Sequence, residues 1–323
     1  MFKKLKTGTL VVIFVLLFLA IALVFLVDRK EGGRTIREEL VRMDTASVSS
    51  ISLFPPAENR TEIKISKNGH TWIVQKEKVT ADADEQRIGG ILGTFTLLKP
   101  QRLAATERSQ WKAYGVNDTL GTRMKFYSGS NLLADVVVGK FSYSNSTRSG
   151  ISYIRLYGED GVYAIDGFLA MAVNHTYNQW RNKTVLRSDK NLLTKISFAY
   201  PADTGFILSK DNGKWKIGSE YADSAKVEQF LNSMSIVNSL GFVDNYTPSN
   251  APVITVAMEG NNMNTLTLRA FPADSLKRFV IHSSYNPSAY FSAREYGLDE
   301  KLFKGKASFL SSLQHKKKHP AKK

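Results

Sequence analysis

The chain has 323 residues, no cysteine and a formal net charge of +15. This length accommodates about two domains, and the lack of cysteine excludes disulfides, thiol catalysis and thiolate metal sites. Lysines near the two ends carry much of the positive excess, so the isoelectric point of 9.7 is a weak argument for nucleic acid. We therefore predict no nucleic-acid partner.

The first feature along the chain is a run of 18 apolar residues at 10–27, behind a basic stretch at 1–9. A helix of that length about matches a bilayer core, which predicts a transmembrane signal-anchor whose partner is the lipid bilayer. Ala20-Ile21-Ala22 resembles a cleavage site, so removal of the segment stays open. The positive-inside rule then predicts a bacterial inner-membrane protein that crosses once, with a cytoplasmic N-terminus and a periplasmic bulk.

Residues 28–46 read as a linker, and a first α+β unit is predicted over 47–187. Alternating strands surround the turn Asn68-Gly69, and Trp72 lies on the return strand. A helix follows, with its apolar residues at i, i+3, i+4 and i+7 and with Asp82 as the predicted N-cap. Two more hairpins and a short apolar helix complete the unit.

The same order of elements returns over 188–312, before a basic tail at 313–323 that we expect to be disordered. A strand leads to the turn Asn212-Gly213 and to Trp215, and a helix then begins near Asp223. Two hairpins and a closing helix follow. We therefore predict an α+β fold, in which an N-terminal transmembrane helix precedes two tandem, duplicated antiparallel-sheet-plus-helix modules. Gly69, Trp72, Gly213 and Trp215 are its repeat markers.

Several runs of the first unit together resemble the family named domain of unknown function 4340. They are Gly69/Trp72, Ala113-Tyr114-Gly115-Val116, Gly139-Lys140, Tyr153-Ile154-Arg155, Val162-Tyr163-Ala164-Ile165-Asp166 and Trp180-Arg181-Asn182-Lys183. The resemblance covers roughly residues 47–245, with a weaker echo at Trp215 and at Tyr296-Gly297-Leu298-Asp299. It departs from the family pattern at Val116-Asn117 and at Gln179. It implies a membrane-anchored envelope protein, often linked to ABC-type export or gliding-motility genes, and it implies no reaction or cofactor.

No catalytic, cofactor or metal site emerges from the residues. The five histidines have no metal-ligand spacing, and there is no nucleophile elbow or phosphate loop. Trp72 and Trp215 are predicted to pack each hairpin onto its helix, and exposed stacking on sugar rings is the alternative. Three tyrosines around the third hairpin form the possible interaction surface: Tyr143, Tyr153 and Tyr163.

These observations favour a non-enzymatic accessory or scaffold. It would bind envelope proteins, such as the subunits of an ABC-type transporter or of a gliding-motility complex, and no small-molecule substrate is identified. The alternative is a module that binds cell-envelope carbohydrate or peptidoglycan, and an envelope hydrolase is the third hypothesis. The sequence leaves open the partner, the oligomeric state and whether the two units pack as one body.

Overall fold

The computed structural model describes residues 14, 16–18, 37–145, 148–201, 204–273 and 279–311. The basic tail and nearly all of the apolar run at 10–27 lie outside these residues. The described chain forms two successive repeats, each built on a large antiparallel sheet.

The first repeat has eleven strands and four α-helices among the described residues. Its strands are β1 (Val41–Arg42), β2 (Ser50–Phe54), β3 (Ile63–Asn68), β4 (Thr71–Lys76), β5 (Val79–Asp82), β6 (Leu97–Leu98), β7 (Arg102–Ala105), β8 (Thr122–Ser128), β9 (Asn131–Ser144), β10 (Ser149–Leu156) and β11 (Val162–Asp166). Its helices are α1 (Glu85–Thr96), α2 (Trp111–Tyr114), α3 (Leu169–Val173) and α4 (Tyr177–Trp180).

The second repeat has ten strands and two α-helices within the described part of the chain. Its strands are β12 (Thr184–Arg187), β13 (Leu193–Ala199), β14 (Phe206–Asp211), β15 (Lys214–Ile217), β16 (Glu220–Tyr221), β17 (Ile236–Asn238), β18 (Ile254–Gly260), β19 (Leu266–Pro272), β20 (Phe279–Ser283) and β21 (Asn286–Ser292). Its helices are α5 (Ser224–Ser233) and α6 (Leu298–Leu302).

The two large sheets follow one plan. The first runs β5-β4-β3-β2-β8-β9-β10-β11-β7, and the second runs β16-β15-β14-β13-β18-β19-β20-β21. Every strand of the second has a counterpart in the first, and β7 is the additional strand. Each repeat also has a two-stranded sheet, β1-β6 or β12-β17, made by the strand that enters the repeat and the strand that follows its long helix.

Each long helix packs its apolar stripe on its sheet. In α1 the residues Ile88, Ile91 and Phe95 are buried, and in α5 Val227 and Phe230 are among the buried ones. Burial of such side chains contributes about 1.5–3 kcal/mol each, which holds a helix of this length in place. Each repeat therefore has its own apolar core, one within residues 40–180 and one within residues 185–310, and the first repeat has a further small cluster around Val116 and Tyr153.

The helix caps show how local chemistry sets the boundaries. The Asp84 carboxylate accepts a hydrogen bond from the backbone N–H of Arg87, and Asp223 caps α5 in the same way. The predicted cap Asp82 is the last residue of β5 instead, because pairing with β4 extends the strand through it. The helix α1 therefore begins at Glu85, and its N-cap is Asp84 in place of the predicted Asp82.

The predicted fold class is wrong. The described regular structure is mostly antiparallel sheet, with one sheet of nine strands and one of eight, so α+β overstates the helical part. No helix in the described ranges is both long and apolar enough to cross a membrane. The longest has 12 residues, which span about 18 Å against a bilayer core of about 30 Å. This finding contradicts the predicted N-terminal transmembrane signal-anchor and the single-pass inner-membrane location that depended on it.

Candidate functional site

A short run connects the repeats, and the first repeat holds it through its backbone. The backbone N–H of Asp84 donates to the Trp180 carbonyl at 2.8 Å, and the N–H of Asn182 donates to the Asp82 carbonyl at 2.7 Å. An isolated bridge between Ala83 and Arg181 lies between these two bonds. Residues 180–182 thus extend the edge of the first repeat beside the start of α1.

The second repeat holds the same run from the other side. The Asn286 side-chain amide donates to the carbonyls of Asn182 and Thr184, at 2.9 and 3.2 Å. The Ser288 hydroxyl donates to the Asp82 carboxylate at 2.6 Å and so joins the repeats directly. Asn286 is only 1% exposed, and a buried amide is costly to leave unpaired. The junction is therefore a bonded interface and not a loose linker.

Arg181 is the most buried cation of the junction, with 5% of its surface exposed. Its two terminal nitrogens contact the two Asp244 carboxylate oxygens at 2.9 and 3.1 Å. The guanidinium lies 3.7 Å from the ring centre of Phe242 and 5.3 Å from that of Tyr177. A paired and stacked arginine of this kind fixes orientation across the junction, because both its charge and its plane have partners on defined elements.

A second ion pair crosses the junction beside the helix cap. The Lys183 ammonium lies 2.9 Å from the Asp84 carboxylate, which also accepts from the Arg87 backbone. Burial acts to raise the pKa of Asp84, but the bonds from Lys183 and Arg87 outweigh it and leave that pKa below its ordinary value. Asp84 is therefore a charged cap that belongs to both α1 and the junction.

These contacts enclose a cleft of about 470 Å³ between the repeats, which we call the junction cleft. Its first-repeat side is formed by Thr71, Trp72, Asp82, Ala83, Asp84, Glu85 and Gln86, and its second-repeat side by Asn182, Lys183, Thr184, Arg187, Ile236, Asn238 and Tyr285. The first-repeat side carries the carboxylates and Trp72, the second-repeat side carries the cations and Tyr285, and both sides carry side-chain amides. Such a lining suits a polar chain with donors, acceptors and one flat or apolar group.

The four repeat markers lie at equivalent hairpins. Gly69 and Gly213 have φ of +62° and +80°, conformations in which a Cβ would be strained. The second hairpin turns at Asn212-Gly213, and the first turns at Gly69-His70, one residue beyond the predicted position. Trp72 and Trp215 are half-buried, and each packs against the core of its own repeat. Of the two, only Trp72 lines the junction cleft.

The three tyrosines of the predicted interaction surface do not come together. Tyr153 pairs with Ala164, whereas Tyr163 pairs with Ile154, so the two rings point to opposite faces of the sheet. Both are 8% exposed and belong to different apolar clusters. Tyr143 is 55% exposed near the end of the long strand β9. Burial removes Tyr153 and Tyr163 from any common contact surface.

Three other motif runs of the first repeat, which contain Tyr114, Gly139 and Arg155, lie against one another at its large sheet. A Cβ on Gly139 would lie 2.3 Å from the Tyr114 carbonyl, so two of the motif runs cross in backbone contact. Arg155 is 2% exposed, donates to the Val116 carbonyl at 2.8 Å and stacks 3.8 Å from the centre of Trp111. Burial lowers the pKa of Arg155 against the pull of Asp118. This cluster holds α2 onto the sheet.

The echo at Tyr296-Gly297 lies at a different place in the strand order. Tyr114-Gly115 precedes β8, whereas Tyr296-Gly297 follows β21, the last strand of its sheet. The two runs are therefore not counterparts. Within the described residues no group of three or more His, Asp or Glu side chains is arranged to hold a metal ion.

Most junction-cleft residues carry no recognisable motif and could not be selected from the sequence. Asp82, Asn238 and Tyr285 are far apart along the chain, and only the pairing of the repeats brings them together. The available signals were Trp72 and the run Trp180-Arg181-Asn182-Lys183, both of which lie at this junction.

Comparison with known proteins gives one match. Residues 72–254 match the family described as Domain of unknown function (DUF4340), which includes both hairpin tryptophans and the whole connecting run. No curated protein matches the chain, and no solved structure matches it. The match covers more than half of the chain and confirms the resemblance seen in the motifs. The chain belongs to the DUF4340 family.

Proposed function

We propose that this protein is a non-catalytic binding module whose junction cleft receives an extended segment of a partner protein. The observation that carries the proposal is that both repeats line the cleft and are bonded to one another around it. A preformed cleft between two firmly joined units loses little entropy when a segment enters, which favours affinity.

The lining supports a polypeptide occupant. Backbone amides and carbonyls of an extended segment match the carboxylates of Asp82 and Glu85, the amides of Asn182 and Asn238 and the cation of Arg187. Trp72 and Tyr285 offer flat apolar surfaces for one or two side chains, and aromatic anchors of this type dominate binding energy in protein interfaces. As a finer proposal, the family resemblance suggests a subunit of an ABC-type transporter or of a gliding-motility complex as the partner.

The test compares a position inside the junction cleft with a control position outside it. A photo-crosslinking amino acid replaces Tyr285 in the cleft, or Tyr221, which is 60% exposed on an edge strand away from it. Cells of the source organism are illuminated, and crosslinked proteins are identified by mass spectrometry. We expect a discrete partner from position 285 and none from position 221. Equal crosslinking at both positions, or none at either, would contradict the proposal.

A matched pair of substitutions extends the test. Trp72→Ala and Trp215→Ala each remove a half-buried indole from an equivalent hairpin, but only the first changes the cleft. Partner capture by the full chain should fall in Trp72→Ala and persist in Trp215→Ala. Circular dichroism on both variants separates loss of binding from loss of folding.

A carbohydrate ligand is the second candidate, and the cleft lining gives it one specific support. Trp72 lies among carboxylates and amides, a combination of a flat ring with hydrogen-bonding groups that also suits sugar rings. Pull-down on immobilised peptidoglycan with the same two variants distinguishes it. Retention that depends on Trp72 and not on Trp215 would favour the carbohydrate over the polypeptide.

A further inference from the structure

The second repeat has another concave surface, which shares no lining residue with the junction cleft and is independent of the proposed function. A groove of about 660 Å³ lies between α5 and the closing segment at 297–309. Phe230 and Phe309 form its apolar floor, and their rings meet edge to face at 5.1 Å. We call this surface the basic groove, because three lysines line it.

The first repeat contains the equivalent groove. It has about 490 Å³ and lies between α1 and α3. Counted from the caps Asp84 and Asp223, the helix positions that line the two grooves coincide. The matching pairs are Arg87 with Lys226, Gly90 with Gln229, Ile91 with Phe230 and Thr94 with Ser233. The duplicated architecture therefore produced two grooves of the same origin, which allows a direct comparison of their chemistry.

The charges of the two grooves differ. The first groove is lined by one cation, Arg87, and one carboxylate, Asp84, and Phe168, Leu169 and Ala172 supply an apolar second wall. In the basic groove the second wall carries Lys301 and Lys304 against a single acid, Glu300. With Lys226 on the helix side, the lining has three cations and one anion. Only the second repeat has placed an excess of positive charge around an apolar floor.

These lysines have no ionic partners within the described residues. The Lys226 ammonium donates to the Leu310 carbonyl at 2.6 Å, and no carboxylate of the described residues lies within ion-pair distance of Lys226, Lys301 or Lys304. Elsewhere in this repeat, Lys190, Lys195 and Lys216 each pair with an acid. Three neighbouring unpaired ammonium groups repel one another, and an anionic ligand would relieve that repulsion.

We propose that the basic groove docks an acidic peptide segment of a partner protein, with an apolar side chain on the Phe230–Phe309 floor and carboxylates at Lys226, Lys301 and Lys304. Its concave shape favours a peptide over a bilayer, since a flat lipid surface would not reach the floor. Three lysines around one pocket are also too few for a nucleic-acid backbone, which needs an extended basic stripe.

The experiment measures fluorescence anisotropy with the full chain and a labelled amphipathic peptide of Glu and Leu, with the Leu residues at helical spacing. The controls are the same peptide with Lys in place of Glu, vesicles of phosphatidylglycerol and double-stranded DNA. We expect binding of the acidic peptide alone, which weakens as salt is raised because rim charges are screened.

Two charge-matched variants locate the site. Lys301→Glu/Lys304→Glu should weaken binding by about tenfold or more, since like charges then face the peptide. Lys210→Glu/Lys214→Glu makes the same change in net charge on the exposed Trp215 hairpin and should bind like the wild type. The neutral pair Lys301→Gln/Lys304→Gln should be intermediate, which separates charge from misfolding.

The proposal fails if the acidic peptide does not bind, or if both reversed-charge variants lose binding equally. It also fails if phosphatidylglycerol vesicles or DNA bind and the peptide does not, because the groove would then serve a different class of ligand.

Discussion

Arg181→Ala should destabilise the protein by removing the central ion pair of the repeat junction. The variant loses two charge-assisted contacts to Asp244, worth about 1.5–3 kcal/mol in such settings. It also loses the stack on Phe242 at 3.7 Å, which contributes about 1 kcal/mol when desolvated. Asp244 is 37% exposed and regains water, so its own penalty is small. We expect a loss of about 3 kcal/mol in the free energy of unfolding.

The assay is equilibrium unfolding in urea, followed by circular dichroism. Arg181→Met keeps most of the side-chain volume and loses the charge, so it should recover the packing part of the loss. Asp244→Asn leaves a cation buried without its counter-charge and should cost about as much as Arg181→Ala, although Asp244 is itself more exposed. The double variant Arg181→Ala/Asp244→Asn should then be far from additive, since both changes remove one interaction.

A loss below about 1 kcal/mol for Arg181→Ala, the range of exposed pairs, would refute this reasoning. Additive single-variant losses would refute it too, because they would show that the two side chains act independently.

Three further outcomes follow from the structure. Gly139→Ala should lower the free energy of unfolding by about 1–3 kcal/mol, because its Cβ would lie 2.3 Å from the Tyr114 carbonyl. Gly93→Ala, on α1 where no atom would lie within 4 Å of the new Cβ, should raise that free energy by up to about 1 kcal/mol. A change of the same sign for both variants in thermal unfolding would contradict the packing argument. Because the pKa of Asp84 is lowered in the folded protein, this carboxylate stabilises the fold above its unfolded-state pKa near 4, and the stabilisation is lost as pH falls further. The difference in free energy of unfolding between wild type and Asp84→Asn should therefore narrow from pH 6 to pH 2 in urea titrations. A constant difference would exclude this linkage. Burial raises the pKa of Tyr200 to about 12, so the tyrosinate absorbance should show a component that titrates late and that Tyr200→Phe removes. The free energy of unfolding should fall between about pH 10 and pH 12, because the unfolded chain loses the Tyr200 proton first. An unchanged titration in Tyr200→Phe would place the late component on another tyrosine.

Local features of the fold were accessible from the sequence because their causes are local. The two Gly-Trp hairpins need a residue at positive φ beside alternating strands, and the helix α5 needs a cap and an apolar stripe. The cap of α1 was misplaced because pairing of β4 with β5 competes for Asp82, and strand pairing is decided by a partner strand and not by the cap motif. The transmembrane prediction depended on the apolar composition of residues 10–27. It is wrong, because no helix of the described residues is long and apolar enough to cross a membrane.

The candidate site could not be derived in the same way. Trp72, Asp84, Lys183 and Tyr285 become neighbours only when one repeat is bonded to the next, and no periodicity or spacing carries that information. Tyr153 and Tyr163 show the opposite case. Similar residues on paired strands suggested one surface, but the register of β10 and β11 sends them to opposite faces.

The sequence by itself determined the family, through motif runs spread over residues 72–254. It also determined the second hairpin turn and the apolar faces of the long helices, because these depend on residues within one turn or one strand pair. The first hairpin turn was predicted one residue too early. Tertiary structure alone decided that two equivalent tryptophans differ in use. Trp72 lies where the following repeat closes a cleft over it, whereas Trp215 has no such neighbour within the described chain. The physical reason is that a cleft is a relation between surfaces distant in sequence, and packing of the repeats selects which surfaces meet.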